Sequence, residues 1–274
     1  MMLPQTIGVY GGGRMGAGIA HAFLVAGSDV VLVESHGAAA VAAQDRVEAS
    51  LRRAVERGIV AGGALSVTTN AADLSGAGLV VEAVPELPEL KAEVLARIER
   101  SAPDAAIATN TSSLSIDQLA NALRDPKRLI GLHFFNPVPA SDLVEIVVGD
   151  VTPPDLVERA REWVADLGKT AITVTDSPGF ASSRLGVAIA LEAMRMLEEG
   201  VASAEDIDTA MTLGYRHPVG PLRTTDLVGL DVRLAIAEHL ERELGPRFAP
   251  PQLLRDNVAS GKLGRKVGEG FYSW

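Results

Sequence analysis

The residues best suited to chemistry stand in one stretch, Gly131-Leu132-His133-Phe134-Phe135-Asn136-Pro137-Val138-Pro139, followed at a short remove by Leu143-Val144-Glu145. Leu129 to Phe135 and Leu143 to Val148 are rich in strand formers, and Asn136, Pro137, Pro139, Ser141 and Asp142 between them are turn residues. So short a connection cannot carry a parallel crossover, so the two strands, if they pair, pair antiparallel. A hairpin folded about Pro139 sets His133 opposite Glu145. A carboxylate beside an imidazole fixes its tautomer and stabilises the imidazolium formed when the ring takes a proton, which suits a general base and its orienter. A structural histidine hydrogen-bonded near a strand end accounts for the same pair, so the choice rests on the remainder of the chain.

A second group with chemical potential lies near the start. Thr6 to Tyr10 is a short apolar run entering Gly11-Gly12-Gly13-Arg14-Met15-Gly16, and good helix formers continue to Val25. Asp29 to Val33 is a second strand ending on Glu34. Strand, glycine turn, helix and strand make a βαβ unit of the size of a mononucleotide-binding half. Each glycine then has its own role, in that Gly11 permits the tight turn, Gly13 lets the backbone approach a pyrophosphate, and Gly16 allows close helix packing. Glu34 sits where an acid accepts from the adenosine ribose hydroxyls, which favours NAD over NADP. Arg14 within the turn fits the pyrophosphate better than a ribose phosphate, with NADP kept as the lesser alternative.

These groups need a scaffold, and the pattern supplies one. Ala38 to Arg57 is helical, with Arg46, Ser50, Arg53 and Arg57 along one face; such stripes are most often solvated surface. Ser66 to Thr69 and Leu79 to Ala83 continue the sheet, and Leu87 to Arg100 is a helix with Pro88 in its first turn. Ala105 to Thr109 is a strand opening onto Asn110-Thr111-Ser112-Ser113, at the carboxyl end where open α/β sheets bind ligands. The same serines could instead cap the helix from Ile116 to Leu123, through Ser113 or Ser115. Pro153 to Leu167 is helical and Thr170 to Thr175 is the last strand. From Phe180 the apolar patterns are helical: Phe180 to Glu199, Ala204 to Leu213, Leu230 to Leu244 and Gln252 to Ser260. A Rossmann-type α/β domain with a mostly parallel sheet is therefore expected over residues 1–179, and an all-α domain over residues 180–274, hinged at Gly179. The small helical domain, with its strongly apolar first helix, would gain by packing on a second copy, so a homodimer is expected.

Composition narrows the function classes. The 274 residues contain no cysteine, which removes disulfides, thiolate metal sites and thiol nucleophiles. No metal site is expected. A formal charge of -10 disfavours nonspecific nucleic-acid binding, so a polyanionic ligand must be held by local basic groups. Met1 to Gln5 lacks the basic segment of a signal peptide, and the apolar run Leu185 to Met194 is far short of a membrane span. A cytoplasmic protein with neither membrane nor nucleic-acid partner is expected. His21, His36, His217 and His239 are weaker candidates than His133.

With these groups placed, the chain resembles the L-3-hydroxyacyl-CoA dehydrogenase family, including bacterial 3-hydroxybutyryl-CoA dehydrogenases, over nearly its whole length. The resemblance is carried by Gly11 to Ala20 (GGGRMGAGIA), Val80 to Ala83 (VVEA), Asn110 to Ile116 (NTSSLSI), Gly131 to Pro139 (GLHFFNPVP), Leu143 to Glu145 (LVE), Asp176 to Phe180 (DSPGF), Glu205 to Met211 (EDIDTAM), Gly229 to Asp231 (GLD) and Gly268 to Tyr272 (GEGFY). It implies NAD-dependent, reversible oxidation of an L-3-hydroxyacyl-CoA to the 3-oxoacyl-CoA. His133 falls on the family's base, Glu145 on its orienting carboxylate, and Ser112 on the residue contacting the reacting oxygen and the cofactor. Gly11, Gly13, Arg14, Met15, Gly16 and Glu34 fall in the cofactor-binding segment, and Glu86, Lys91, Asn136 and Lys266 on further cofactor contacts. Ser50 and Arg57 fall on the CoA contacts, normally Ser and Lys. Where the family usually carries Asn to help hold the substrate oxygen, this chain has Ser183, so either a water completes the contact, or the substrate differs there, or activity is reduced. The alternatives are an NAD-dependent dehydrogenase of a free hydroxy acid, of the L-gulonate or carnitine type, and a non-catalytic dinucleotide-binding protein of the same fold.

Overall fold

The computed structural model describes residues 3–274. Met1 and Met2, part of the segment Met1 to Gln5 weighed as a signal peptide, lie outside the described residues. The chain divides into two compact units between Ser177 and Pro178, two residues ahead of Gly179. Among the described residues no helix is long and apolar enough to cross a membrane.

The first unit is built on β1 (Thr6–Tyr10), β2 (Asp29–Val33), β3 (Leu65–Thr68), β4 (Leu79–Glu82), β5 (Ala106–Thr109), β6 (Leu129–Phe134), β7 (Leu143–Val148) and β8 (Thr170–Thr175). Their order in the sheet is β3-β2-β1-β4-β5-β6-β7-β8. Neighbours are parallel from β3 to β6, β6 and β7 pair antiparallel, and β8 runs parallel to β7. The helices are α1 (Arg14–Val25), α2 (Gly37–Val55), α3 (Pro88–Ser101), α4 (Ile116–Ala120) and α5 (Pro154–Asp166). Strands β4, β5 and β6 are buried throughout, so they read as apolar runs, interrupted by Glu82, Thr109 and His133 near their carboxyl ends, instead of the alternation of a half-exposed sheet. Helix α1 contributes Ile19, Ala20, Phe23 and Leu24 to the core formed with Ile7, Val9, Leu32, Leu79 and Val81. Truncating a fully buried ring such as Phe23 in such a core costs about 3–5 kcal/mol.

Strand β3 begins one residue before the expected Ser66, and a short 3-10 helix, Ala71–Gly76, follows it unforeseen. That turn is nucleated locally, because Asn70 Oδ1 accepts from the Ala72 amide and Leu74 is buried beneath it. The expected choice between two caps for α4 falls to Ser115, whose Oγ accepts from the Gln118 amide at 3.2 Å. Ser113 is turned elsewhere. Helix α4 stops at Ala120, short of the expected Leu123.

The second unit holds α6 (Ser182–Glu198), α7 (Ala204–Thr209), α8 (Pro221–Val228), α9 (Leu230–Leu244) and α10 (Gln252–Ala259), and no strand among the described residues beyond isolated bridges in the C-terminal segment. Val187, Leu191, Met194, Ile207, Leu222, Leu230, Leu240, Phe248 and Leu254 form its core. Helix α6 starts two residues after the expected Phe180, because Gly179 (φ +75°) and Phe180 (φ +50°) are both left-handed and interrupt helical geometry. Helix α7 passes into one π-helical turn, Ala210–Gly214, where a single helix to Leu213 is expected from the pattern. Helix α8 is absent from the sequence expectation. Its Pro221 occupies the first helical position, and its orphan amides are satisfied from a distance: Leu222 and Arg223 N–H donate to the two carboxylate oxygens of Asp208.

Candidate active site

Strands β6 and β7 set His133 directly opposite Glu145 in the antiparallel register. His133 Nδ1 lies 2.7 Å from Glu145 Oε2, and the carboxylate is fully buried. That contact directs the other ring nitrogen, Nε2, toward any proton the ring is to move. The Phe135 ring flanks the imidazole with centroids 4.5 Å apart. One residue along, Phe134 N–H donates to Asn110 Oδ1 at 2.9 Å, which ties the strand carrying His133 to the Asn110-Thr111-Ser112-Ser113 segment after β5.

That polar segment is organised by one carboxylate. Glu86 Oε1 lies within hydrogen-bond reach of Thr111 Oγ1 (2.6 Å), Ser112 N (2.8 Å), Ser113 N (3.0 Å), Ser113 Oγ (3.1 Å) and Ser112 Oγ (3.2 Å). These are more donors than one oxygen has lone pairs, so the two serine hydroxyls are the partners it can release to a ligand. Burial pushes the Glu86 carboxyl up, but the Lys91 ammonium and the hydrogen bonds from Thr111 and Ser112 outweigh it and hold it below the usual value. Lys91 Nζ is 3.3 Å from Glu86, donates to both oxygens of Glu82 at 2.8 and 3.0 Å and reaches Val84 O at 3.2 Å. Glu82 is fully buried and also accepts from Thr109 Oγ1 and the Val84 amide, both at 2.7 Å.

Around the glycine turn, a cavity of about 720 Å³ is lined by Gly11, Gly13, Arg14, Met15 and Glu34, with Ala83 to Pro85 and residues of α3 opposite. Glu34 Oε1 accepts from the Gly12 amide at 2.7 Å, so its carboxylate is already aimed across the turn. Helix α1 has Gly13 as its N-cap and so no side-chain cap, leaving the first amides for an anion. The residues present therefore fit a dinucleotide. A Cβ on Gly13 would meet nothing within 4 Å, whereas one on Gly16 would stand 1.7 Å from Gly11 O. Gly13→Ala is thus expected to leave the thermal midpoint near wild type and weaken NADH binding by about tenfold or more, and Gly16→Ala to cost about 1–3 kcal/mol of stability or more. Thermal melts beside fluorescence titration with NADH separate the two; equal destabilisation by both would refute the separate roles of the two glycines.

A second cleft of about 580 Å³ is lined by Arg14, Arg46, Ser50, Arg53 and Arg57, by His21, and by the loop from Asn136 to Ala140. Four guanidinium groups on one cleft in a chain of charge -10 make a local site for a polyanion. Arg46 also donates to Gly12 O at 3.2 Å, which fastens α2 to the glycine turn. Burial, with Arg53 and Lys169 nearby, keeps the His21 pKa below its ordinary value.

In the second unit, Ser183 lies in the first turn of α6. Lys266 is held by Asp231, with Nζ 2.6 Å from both carboxylate oxygens. Of the features not foreseen, Glu82 is the plainest: an acid ending a buried strand, nine residues before a lysine in a chain that prefers arginine, was the available signal.

The model of the 3-hydroxyacyl-CoA dehydrogenase NAD binding domain matches residues 6–177, and that of the 3-hydroxyacyl-CoA dehydrogenase C-terminal domain matches residues 179–274. The chain belongs to the 3-hydroxyacyl-CoA dehydrogenase family. Within this family, it is 43% identical to a 3-hydroxybutyryl-CoA dehydrogenase of Mycobacterium tuberculosis over 98% of each chain. It is 39% identical to the mitochondrial hydroxyacyl-coenzyme A dehydrogenase of Sus scrofa, over all of this chain and 92% of that one. The crystal structure of the (S)-3-hydroxybutyryl-CoA dehydrogenase of Ralstonia eutropha superposes with a TM-score of 0.93 at 39% identity, covering 99% of each chain. The first unit is accordingly the family's NAD-binding domain.

Proposed function

We propose that this chain catalyses the reversible, NAD-dependent oxidation of an L-3-hydroxyacyl-CoA to the 3-oxoacyl-CoA. The observation that carries this is the 2.7 Å contact between His133 Nδ1 and Glu145 Oε2, in a unit matched by the family's NAD-binding model. With Nδ1 turned to Glu145, His133 takes the substrate's hydroxyl proton on Nε2, and Glu145 stabilises the imidazolium that results. NAD, when bound, supplies the hydride acceptor for C3. Ser112, released from Glu86, holds the reacting oxygen, and Ser183 is assigned as its second donor on the family resemblance, which implies an oxygen-holding side chain at that position. The α1 N-terminus receives the pyrophosphate, Glu34 the adenosine ribose, and Glu86, Lys91, Asn136 and Lys266 complete the cofactor contacts. Ser50, Arg57 and the other arginines of the second cleft take the CoA phosphates. The second unit serves substrate binding and dimerisation, which the exposed apolar side chains Leu185, Leu227 and Val232 support. The same reading makes the protein a cytoplasmic homodimer.

The test is NADH oxidation with acetoacetyl-CoA, beside free acetoacetate and beside NADPH. Turnover is expected with the thioester and NADH and to be far weaker with the free acid or NADPH. Preference for the free acid would move the assignment to the free hydroxy-acid enzymes. Tight NADH binding with no turnover on any 3-oxo compound would make the chain a binding protein.

A further inference from the structure

Lys169 lies outside every motif singled out in the sequence. Its side chain crosses to the loop between β6 and β7, where Nζ donates to Val138 O at 2.8 Å and Ser141 O at 2.5 Å. These carbonyls stand on either side of Pro139 and Ala140, so one ammonium bridges the turn. Lys169 is launched from a fixed point. Helix α5 ends in a left-handed Gly168 (φ +69°), the Lys169 amide donates back to Val164 O, and the next amide, of Thr170, donates to Asp142 O at 2.6 Å. Burial pushes the ammonium's pKa down, against the opposing charge of Asp142, so the group is held partly desolvated for the sake of this contact.

The loop it grips is a wall of the arginine cleft. Asn136 to Ala140 face Arg14, Arg46, Arg53 and Arg57 across that cleft, and Val138 is buried where Gly18 of α1 leaves space for it. The ammonium itself does not line the cleft. We infer that Lys169 is a positioning residue that sets the width of the cleft through the Val138–Ser141 turn, and so governs recognition of the nucleotide end of the substrate separately from the chemistry at His133. This rests on the assignment of the cleft to the CoA phosphates.

Interactions that act equally on bound substrate and transition state change KM and leave kcat. Lys169→Met should therefore raise KM for acetoacetyl-CoA by about tenfold with kcat within about twofold of wild type. With acetoacetyl-pantetheine, which keeps the thioester and the reacting carbonyl but lacks the nucleotide, the variant and wild type should be alike. NADH affinity, measured by fluorescence, should be unchanged and reports that the first unit is folded. Equal losses on both thioesters, loss of NADH binding, or no change on either substrate would each overturn the clamp. A wild-type enzyme that did not distinguish the two thioesters in KM would overturn the cleft assignment, and the clamp with it. That failure is visible before any variant is made.

Discussion

Replacing His133 with Gln is expected to lower kcat by ~10²- to 10⁴-fold, the range that a positioned general base supplies, while NADH binding stays at the wild-type level. The expectation follows from the hairpin. Its register puts the imidazole and the Glu145 carboxylate on facing strands, so neither side chain needs to move to meet the other. Gln keeps much of the shape and a hydrogen-bond partner for Glu145 but cannot take a proton at neutral pH. Glu145→Gln should cost less, since the base remains and only its charge partner and tautomer control are lost. The double variant should be little worse than His133→Gln alone, because residues acting as a unit are not additive. Steady-state kinetics of the three variants with acetoacetyl-CoA decide this. Wild-type turnover by His133→Gln would remove the base assignment, and loss of NADH binding along with turnover would make the ring structural.

How far such a site can be read before the fold is known depends on how local its determinants are. The hairpin was legible because a short turn forces antiparallel pairing and the period of two then fixes which residues face each other. The glycine turn was legible because Gly16 approaches Gly11 O, which excludes a side chain, and Gly13 opens onto a cavity, where a bare backbone lets a ligand come close. The arginine face of α2 could be drawn from helical spacing, but nothing in the spacing told a cleft wall from a solvated surface; the loop from Asn136 to Ala140 had to be folded against it first. Helix α8 was missed for the same kind of reason, since its cap is Asp208, fourteen residues before Leu222. Lys169 acts on carbonyls that the fold brings to it and carries no local signature of that contact, whereas Glu82 had the lysine nine residues on as its one signal.

A large effect on stability is also expected at Lys91. Its side chain is almost wholly buried, its ammonium meets both oxygens of the fully buried Glu82, and it is also paired with Glu86. Two carboxylates thus share one cation. Among the described residues, Lys91→Met leaves Glu82 with the Thr109 hydroxyl and the Val84 amide as partners, and an uncompensated buried charge of this kind costs about 3–5 kcal/mol. Replacing both members of the pair by apolar residues is a different case, because no charge is then stranded; Glu82→Leu with Lys91→Met should recover much of the lost stability. It should not recover function. Glu86 loses the cation that helps hold its carboxyl below the usual range, and with it the firm acceptor around which Ser112 and Ser113 are arranged. NADH affinity and kcat are therefore expected to stay low in the double variant while its denaturation midpoint returns toward wild type. Denaturant melts and NADH titrations on the single and double variants read the two quantities separately. A loss of under about 1 kcal/mol in Lys91→Met would mean that the buried charges are compensated elsewhere. Full recovery of NADH binding in the double variant would mean that the network only supports the fold and does not set the place of Ser112.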